Sequence, residues 1–501
     1  MRLLSLLPLL SLLSLALGND GLTIQTTVGE IQGFINASSP LVRQFLGIPY
    51  AEPPIGNLRF APPQTKSPSQ ETLNATTFAP SCMQQFSNTS TIYTVQVPQF
   101  LINGGQSEDC LYLNIWAPAL KTESPQEVPL PVFVYIPGGG FTSGGANSIA
   151  KFPDRWIQRT QSHIVVVMNY RVNVFGFPNA KGLTDLNPGL MDQRKAVEWV
   201  RDNIASFGGD PRRITLWGQS AGGASVGLYG YAYPNDPIVT SLICDSGSAN
   251  LLGSTDVAQS NFTFLAGLVG CGNYSDGEKE LECMRGVDAV TIENALSNYG
   301  IAGTKPSISF TPFPDNKTAF GNTTDRAVRG LVAKIPAILG SNANEGAGFV
   351  SYTTNGPGAA ALFATTESII ACPLAKEVRT RNLVGLPTYR YQYAGNFSNI
   401  SPVDWMGAYH SSELPLLFGT HDQVFKGPST AFEYNVSHTM EALWLSFASN
   451  PSGGPARWTK ETGYFAWPQY EQTSSSMLLF ASGETVQQLV TAERIDGNCT
   501  F

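Results

Sequence analysis

Apolar residues in this chain gather in short unbroken runs separated by turn residues. Leu111–Trp116, Pro131–Ile136 and His163–Asn169 are three such runs, and each predicts a strand buried on both faces. Between them the period changes. Leu190, Val197, Val200 and Ile204 recur on one face of a 3.6-residue repeat, which predicts a helix over 190–207 ended by Gly208-Gly209. A further apolar run ends at Trp217, the backbone is expected to turn sharply at Ser220, and a helix to begin at about Ala221. Residues 335–340 and 388–393 are later strand candidates. Strand, helix and strand in alternation predict an α/β fold with a mostly parallel central sheet covered by helices.

The remainder is less periodic. Residues 22–60 read as short strands and turns, broken by Pro49, Pro53, Pro54 and Gly56, and residues 61–81 read as loop. From Met83 to Asp109 runs a long excursion with no clean period, carrying Ile92, Tyr93, Val95, Val97, Phe100 and Leu101. A loop that long in a compact protein is usually functional, and a lid is the natural expectation. Residues 250–330 and 346–385 mix helix and loop and are expected to sit as insertions above the sheet. No repeat and no linker divides the chain, so a single domain is expected over 19–501.

Composition narrows the class. Of 501 residues, 42% are hydrophobic and 14% charged, enough to bury a large core and too apolar for a disordered chain. The net charge is -8 and no basic cluster exists, which argues against nucleic acid as a partner. Residues 1–18 carry Arg2, a leucine-rich core and Ala16-Leu17-Gly18, the pattern of a secretory signal peptide. No later stretch is apolar enough for a transmembrane segment, and Asp496–Phe501 lacks the tail of a lipid-anchor signal. N-glycosylation sequons at Asn36, Asn74, Asn88, Asn261, Asn273, Asn316, Asn322, Asn396, Asn399, Asn435 and Asn498 suit an extracellular glycoprotein.

Seven cysteines are too few for a disulfide scaffold, and no Cys-x-x-Cys or histidine-rich spacing suggests a metal. In an oxidising compartment a few local bridges and one odd thiol are expected. Cys271 and Cys283 enclose a polar, glycine-rich loop, and Cys82 and Cys110 a longer one. Closing each would contribute about 3–4 kcal/mol in the chain-entropy account. Cys244, within an apolar run, is the candidate for the free thiol.

The chemistry centres on Gly218-Gln219-Ser220-Ala221-Gly222. Gly-x-Ser-x-Gly between a strand and a helix is the signature of a nucleophile elbow, which lifts a serine hydroxyl above a sheet. A few tenths of such a match arise by chance in about 500 residues, so the elbow needs partners. Serine requires a positioned base. His163 opens an apolar strand and reads as structural, whereas His410, His421 and His438 all follow Ser220 in the required order, and spacing does not choose among them. Gly138-Gly139-Gly140 after a buried strand offers backbone N–H groups for an oxyanion. Neither a Walker nor a dinucleotide-binding glycine pattern is present there.

Several motifs in order carry a resemblance over nearly all of residues 19–501. They are Glu108-Asp109-Cys110-Leu111-Tyr112-Leu113-Asn114, the triple glycine ending in Phe141, Gly189-Leu190-Met191-Asp192-Gln193-Arg194, Gly208-Gly209-Asp210-Pro211, the elbow, Asn344-Glu345-Gly346, and His410-Ser411-Ser412-Glu413-Leu414-Pro415. The chain resembles the type-B carboxylesterase/lipase group of α/β-hydrolases, which includes the cholinesterases. The resemblance implies Ser220 as nucleophile, His410 as base and acid, and Glu345 as the orienting carboxylate. It implies oxyanion donors at Gly139, Gly140 and Ala221, and Ser246 as a supporting hydroxyl. It also implies disulfides Cys82–Cys110, Cys271–Cys283 and Cys372–Cys499, and no metal or organic cofactor.

Three positions depart from the family. Pro137 precedes the glycines where an aromatic or histidine is usual. Gln219 stands where a glutamate often precedes the serine, and Phe100 where choline-specific members place a tryptophan. Both of the latter weaken any preference for cations. The expectation is an extracellular, glycosylated hydrolase of small-molecule or lipid esters, working through an acyl-enzyme on Ser220. A triacylglycerol lipase that meets the lipid surface through an 83–109 lid is the alternative within the class. A non-catalytic adhesion protein is the alternative outside it, disfavoured by the presence of Ser220, Glu345 and His410 together.

Overall fold

The computed structural model describes residues 21–85, 89–120, 128–251, 253–272, 274–303, 305–460 and 463–500. The 1–18 signal segment, and the sequons at Asn88 and Asn273, therefore lie outside the described residues. Among the described residues the main sheet has eleven strands. From one edge it runs Thr485–Val490, Met477–Ser482, Thr388–Tyr393, Ala337–Asn342, Ser241–Asp245 and Gly209–Gln219, then Leu130–Ile136, Ile164–Met168, Tyr112–Pro118, Val42–Pro49 and Phe34–Ile35. From Met477–Ser482 through Ile164–Met168 every neighbouring pair is parallel. Antiparallel pairs close both edges.

The unbroken apolar runs are explained by what lies on the two faces. Val132, Val134 and Ile136 enter one core with Ile164, Val166, Ile214 and Leu216. The intervening Phe133 and Tyr135 enter the other with Val165, Val167 and Trp217. A strand with both faces covered needs no polar alternation, so its pattern is continuous. The helix Pro188–Asn203 begins with proline at its first position, buries Leu190, Val197 and Val200, and tightens into a 3-10 turn over Ile204–Phe207. Gly208 ends it at φ 93°, a left-handed conformation that favours glycine.

Helices Ser260–Leu268, Gly277–Gly286 and Ala289–Ile301 form a satellite core with Phe60, Met83, Val174 and Phe175. The cysteines pair as Cys82–Cys110, Cys271–Cys283 and Cys372–Cys499, and Cys244 is buried and free. Burial pushes the Cys244 thiol up, so it stays protonated and inert. Among the described residues no helix is long and apolar enough to cross a membrane.

Candidate active site

Parallel α/β sheets present their ligands at the carboxyl ends of the strands, and the candidate residues leave from that edge. Gly138–Gly140 follow the strand ending at Ile136, Ser220 the strand ending at Gln219, and Ser246 the strand ending at Asp245. Glu345 follows the strand ending at Asn342, and His410 lies further along the chain after the strand ending at Tyr393.

Ser220 is held at φ 59°, ψ -124°, a strained conformation of the kind that costs about 1–3 kcal/mol and persists only when its surroundings enforce it. The enforcement is visible. Its N–H donates to the Asp245 carbonyl at 2.8 Å, and its carbonyl accepts from Ala224 N–H at 2.8 Å. The flanking glycines are obligatory. A Cβ on Gly222 would lie 2.0 Å from the Ile136 carbonyl oxygen, and one on Gly218 would lie 2.4 Å from the Gly222 backbone. The helix Ala221–Ala232 is therefore pressed directly against the sheet.

The glycine loop abuts this turn: a Cβ on Gly138 would sit 2.5 Å from the Gln219 carbonyl oxygen and 2.9 Å from Ser220 Cβ. Gly139 and Gly140 adopt φ 128° and 63°, and among the described residues their N–H groups have no acceptor. Ala221 opens its helix, so its N–H has no partner in the preceding turn.

Beside the elbow stands a chain of side chains. His410 Nδ1 lies 2.5 Å from Glu345 Oε2, while Glu345 Oε1 accepts from the Ser246 hydroxyl and the Asn342 N–H, each at 2.6 Å. Glu345 is fully buried, and these three donors compensate the burial of its charge. His410 Nε2 faces the Gln219 amide nitrogen at 3.1 Å. Ser220 and His410 keep 7% and 5% of their surface exposed, so both remain reachable from solvent.

The three downstream histidines separate cleanly. His421 Nδ1 bonds Ser429 Oγ at 2.8 Å and lies 3.3 Å from Glu433. With His438 it lines a cavity of about 260 Å³ between Arg155, Arg159 and Glu441 that contains none of the elbow residues. Burial pushes His438 down to about 4. His163 is buried against Trp156 and Phe133 and pushed down to about 3 by burial, in keeping with a structural role.

Other neighbours of the site carry no role that the sequence assigns. The Tyr93 hydroxyl, from the short helix Ile92–Val95 in the 83–109 excursion, donates to the His410 carbonyl at 2.6 Å. Phe349 packs on the His410 ring with centroids 4.5 Å apart. Gly348 makes room for both, since a Cβ there would come within 2.6 Å of His410 Cβ and 2.7 Å of the Tyr93 oxygen. Under the elbow, Asp245 accepts from Trp217 Nε1 at 2.5 Å and from the Tyr391 hydroxyl at 2.7 Å. Tyr391 lies over Gly340, where a Cβ would fall 1.7 Å from its ring. Burial is the main force pushing Asp245 up to about 7. Burial and the Asp245 and Glu345 charges push the nearby Glu413 well above the usual carboxylate range. No local pattern announces Tyr93 or Phe349. Glu413 stands inside the His410–Pro415 motif and Asp245 directly before Ser246, so proximity in sequence to site residues is the available signal.

The 83–109 excursion is tied down at several points. Ser148 Oγ donates to the carbonyls of Gln99 and Phe100 at 3.1 and 3.0 Å, and Tyr352 N–H donates to the Ser90 carbonyl at 2.7 Å. Phe100 packs among Tyr93, Tyr409 and Phe425. Val95 and Leu101 remain exposed.

The comparisons agree on one family. The model of the carboxylesterase family matches residues 20–365 and 357–497. The chain is 60% identical to a chlorogenic acid esterase of Aspergillus niger over 96% of its own length and 94% of that protein's. It is 40% identical to secreted lipase 5 of Gibberella zeae, over 95% of its length and 94% of the relative's. With acetylcholinesterase of Electrophorus electricus it shares 34% identity, over 78% of its length and 62% of the relative's.

Proposed function

The chain belongs to the carboxylesterase family and is a carboxylic-ester hydrolase, and from that premise we propose that Ser220, His410 and Glu345 are its catalytic residues. The observation that carries this reading is the hydrogen-bonded run Ser246–Glu345–His410 beside a strained serine that keeps a sliver of its surface open. Glu345 accepts the hydrogen bond of the His410 Nδ1–H, which keeps Nε2 unprotonated and able to act as base. Ser220 Oγ attacks the ester carbonyl while its proton passes to Nε2, and Glu345 stabilises the imidazolium that forms. The oxyanion is met by the N–H groups of Gly139, Gly140 and Ala221. In a comparable protease one such donor is worth about 2.7–4 kcal/mol in the transition state. Nε2–H then protonates the departing alcohol, and water releases the acid by the same route. The donors present suffice for this chemistry without a metal or organic cofactor.

The neutral Gln219 and the packed Phe100 favour uncharged or aromatic esters over cationic ones. Chlorogenic acid, named for the Aspergillus niger relative, is the substrate we assign first. The lipase reading draws support from the secreted lipase 5 similarity and from exposed Val95 and Leu101. The test compares chlorogenic acid with an emulsified triacylglycerol for wild type and Ser220→Ala. Hydrolysis of the soluble ester that vanishes in Ser220→Ala is expected. Activity that jumps only at the emulsion surface would replace this reading with the lipase one.

A relative named as a secreted lipase, and three disulfides, fit an extracellular protein. We read residues 1–18 as the signal peptide, 19–501 as one catalytic domain, and the exposed Asn36, Asn74, Asn316, Asn322, Asn396, Asn435 and Asn498 as the asparagines open to N-glycosylation. Asn399 is buried and its amide donates to the His421 carbonyl, Ser429 and Glu433, so this sequon is closed to a glycan once the chain has folded.

A further inference from the structure

The Nε2 atom that must take the Ser220 proton already has a partner. Glu345 Oε2 lies 2.5 Å from Nδ1, and a buried carboxylate can only accept there, so the Nδ1 position carries the proton. Nε2 is then a bare acceptor, and the Gln219 amide nitrogen at 3.1 Å donates to it. The amide is wedged. Gln219 is 3% exposed, and its Oε1 end abuts Gly138, where even a Cβ would come to 3.0 Å of it.

We propose that Gln219 is a positioning residue for His410, whose side-chain amide donates to Nε2 and so favours the neutral, Nδ1-protonated imidazole. The inference rests on the catalytic assignment above and adds a specific consequence. A donor to the neutral ring is lost when Nε2 gains a proton, so the imidazolium is disfavoured. In the resting enzyme His410 is held in the tautomer that can act as base; the amide yields Nε2 to the Ser220 hydroxyl at the moment of attack, and once protonated the ring gives the proton readily to the leaving alcohol. The enzyme thereby stays active further into acid than a serine hydrolase lacking this donor. A carboxylate at position 219 would do the opposite, because it can only accept and would stabilise the imidazolium.

The other groups facing His410 do not obscure the effect. Glu345 faces Nδ1, the Tyr93 hydroxyl meets the backbone carbonyl, and Phe349 covers the ring. Tyr93 is pushed up by burial, Asp245 is pushed up to about 7, and Glu413 lies well above the carboxylate range. These three bond the His410 carbonyl, Trp217 with Tyr391, and Asn342 respectively, not the His410 ring, and none is altered in the variants.

The test is the pH profile of kcat/KM for wild type, Gln219→Met and Gln219→Glu on one soluble ester, with active sites counted by a phosphonate. Methionine keeps the length and removes the donor. The acidic limb should move to higher pH by about half to one unit in Gln219→Met, the scale of one hydrogen bond, and further in Gln219→Glu. An unmoved limb in Gln219→Met, or movement to lower pH, overturns the proposal, because a space-filling role changes stability and the count of active sites but not the profile. Ser220→Ala separates the two readings. Activity retained there would sink the catalytic assignment, whereas an inactive Ser220→Ala with an unmoved Gln219→Met limb would sink only this inference.

Discussion

The two halves of the candidate site are built by different means. On one side stand the elbow and the glycine loop, where Ser220, Ala221, Gly139 and Gly140 act through backbone shape. Their neighbours in space are near neighbours in sequence or lie on adjacent strands. On the other side stand Glu345 and His410, fixed by side chains from remote segments: Ser246, Gln219 and Tyr93, the last of these 317 residues before His410. The first half has no room for added atoms at Gly138, Gly139, Gly218 or Gly222. The second depends mainly on each hydrogen bond being made, with Gly348 a tight backbone contact against His410. Backbone geometry demands particular residues at particular spacings, whereas a hydrogen bond can be supplied from anywhere the fold brings close.

The largest effects should fall on the backbone half. Ser220→Ala should lower kcat by about 10⁶, the scale seen when a serine protease loses its nucleophile, with the melting temperature little changed; steady-state hydrolysis and calorimetry check both. Gly222→Ala should be the harsher change to the fold, since its methyl group meets the Ile136 carbonyl at 2.0 Å. A loss of at least about 3 kcal/mol in denaturant unfolding is expected, at or beyond the top of the overpacking range. A tolerated Gly222→Ala would break the contrast between the halves.

On the side-chain half the effects should be graded. Glu345→Gln keeps the shape but can present its amide hydrogens to His410, favouring the wrong tautomer; kcat should fall by about 10⁴, as for the equivalent change in a protease triad. Tyr93→Phe removes a single neutral hydrogen bond to the His410 carbonyl and should cost kcat about three- to tenfold, with KM nearly unchanged. Equal losses in Glu345→Gln and Tyr93→Phe would mean that the excursion, not the carboxylate, orients His410.

The smallest effect on activity lies outside both halves. Glu293, in the satellite core, is pushed up to about 7 by burial against the opposing bond from Asn173. The folded state binds its proton more tightly than the unfolded chain does. Its contribution is therefore complete below about pH 4 and lost as the pH rises through about 7, on the order of 1–3 kcal/mol. Glu293→Gln should flatten the fall in melting temperature between pH 5 and 8 without touching the active site.

The same contrast explains what could be read from the chain alone. The strands over 130–136, 164–168 and 388–393 were legible because both faces are covered, and the elbow because Gly218, Ser220 and Gly222 are sterically forced. The histidine was not legible from spacing. His410, His421 and His438 are equivalent in order, and only the resemblance to known esterases, then Glu345 at 2.5 Å, distinguished the first. Tyr93 was hidden because the 83–109 excursion has no period, and its role exists only through packing against Tyr409 and His410. Gln219 stands out in the sequence for the charge it lacks, while its bond to Nε2 depends on an approach across 191 residues that no local pattern encodes.

The central claim is that an acyl-enzyme forms on Ser220. Reaction of the intact protein with an organophosphonate ester, followed by mass spectrometry of its peptides, tests it directly. One adduct per chain, on the Ser220 peptide and matched by loss of esterase activity, is the predicted result. An adduct on another residue, or full inhibition with Ser220 unmodified, would contradict it.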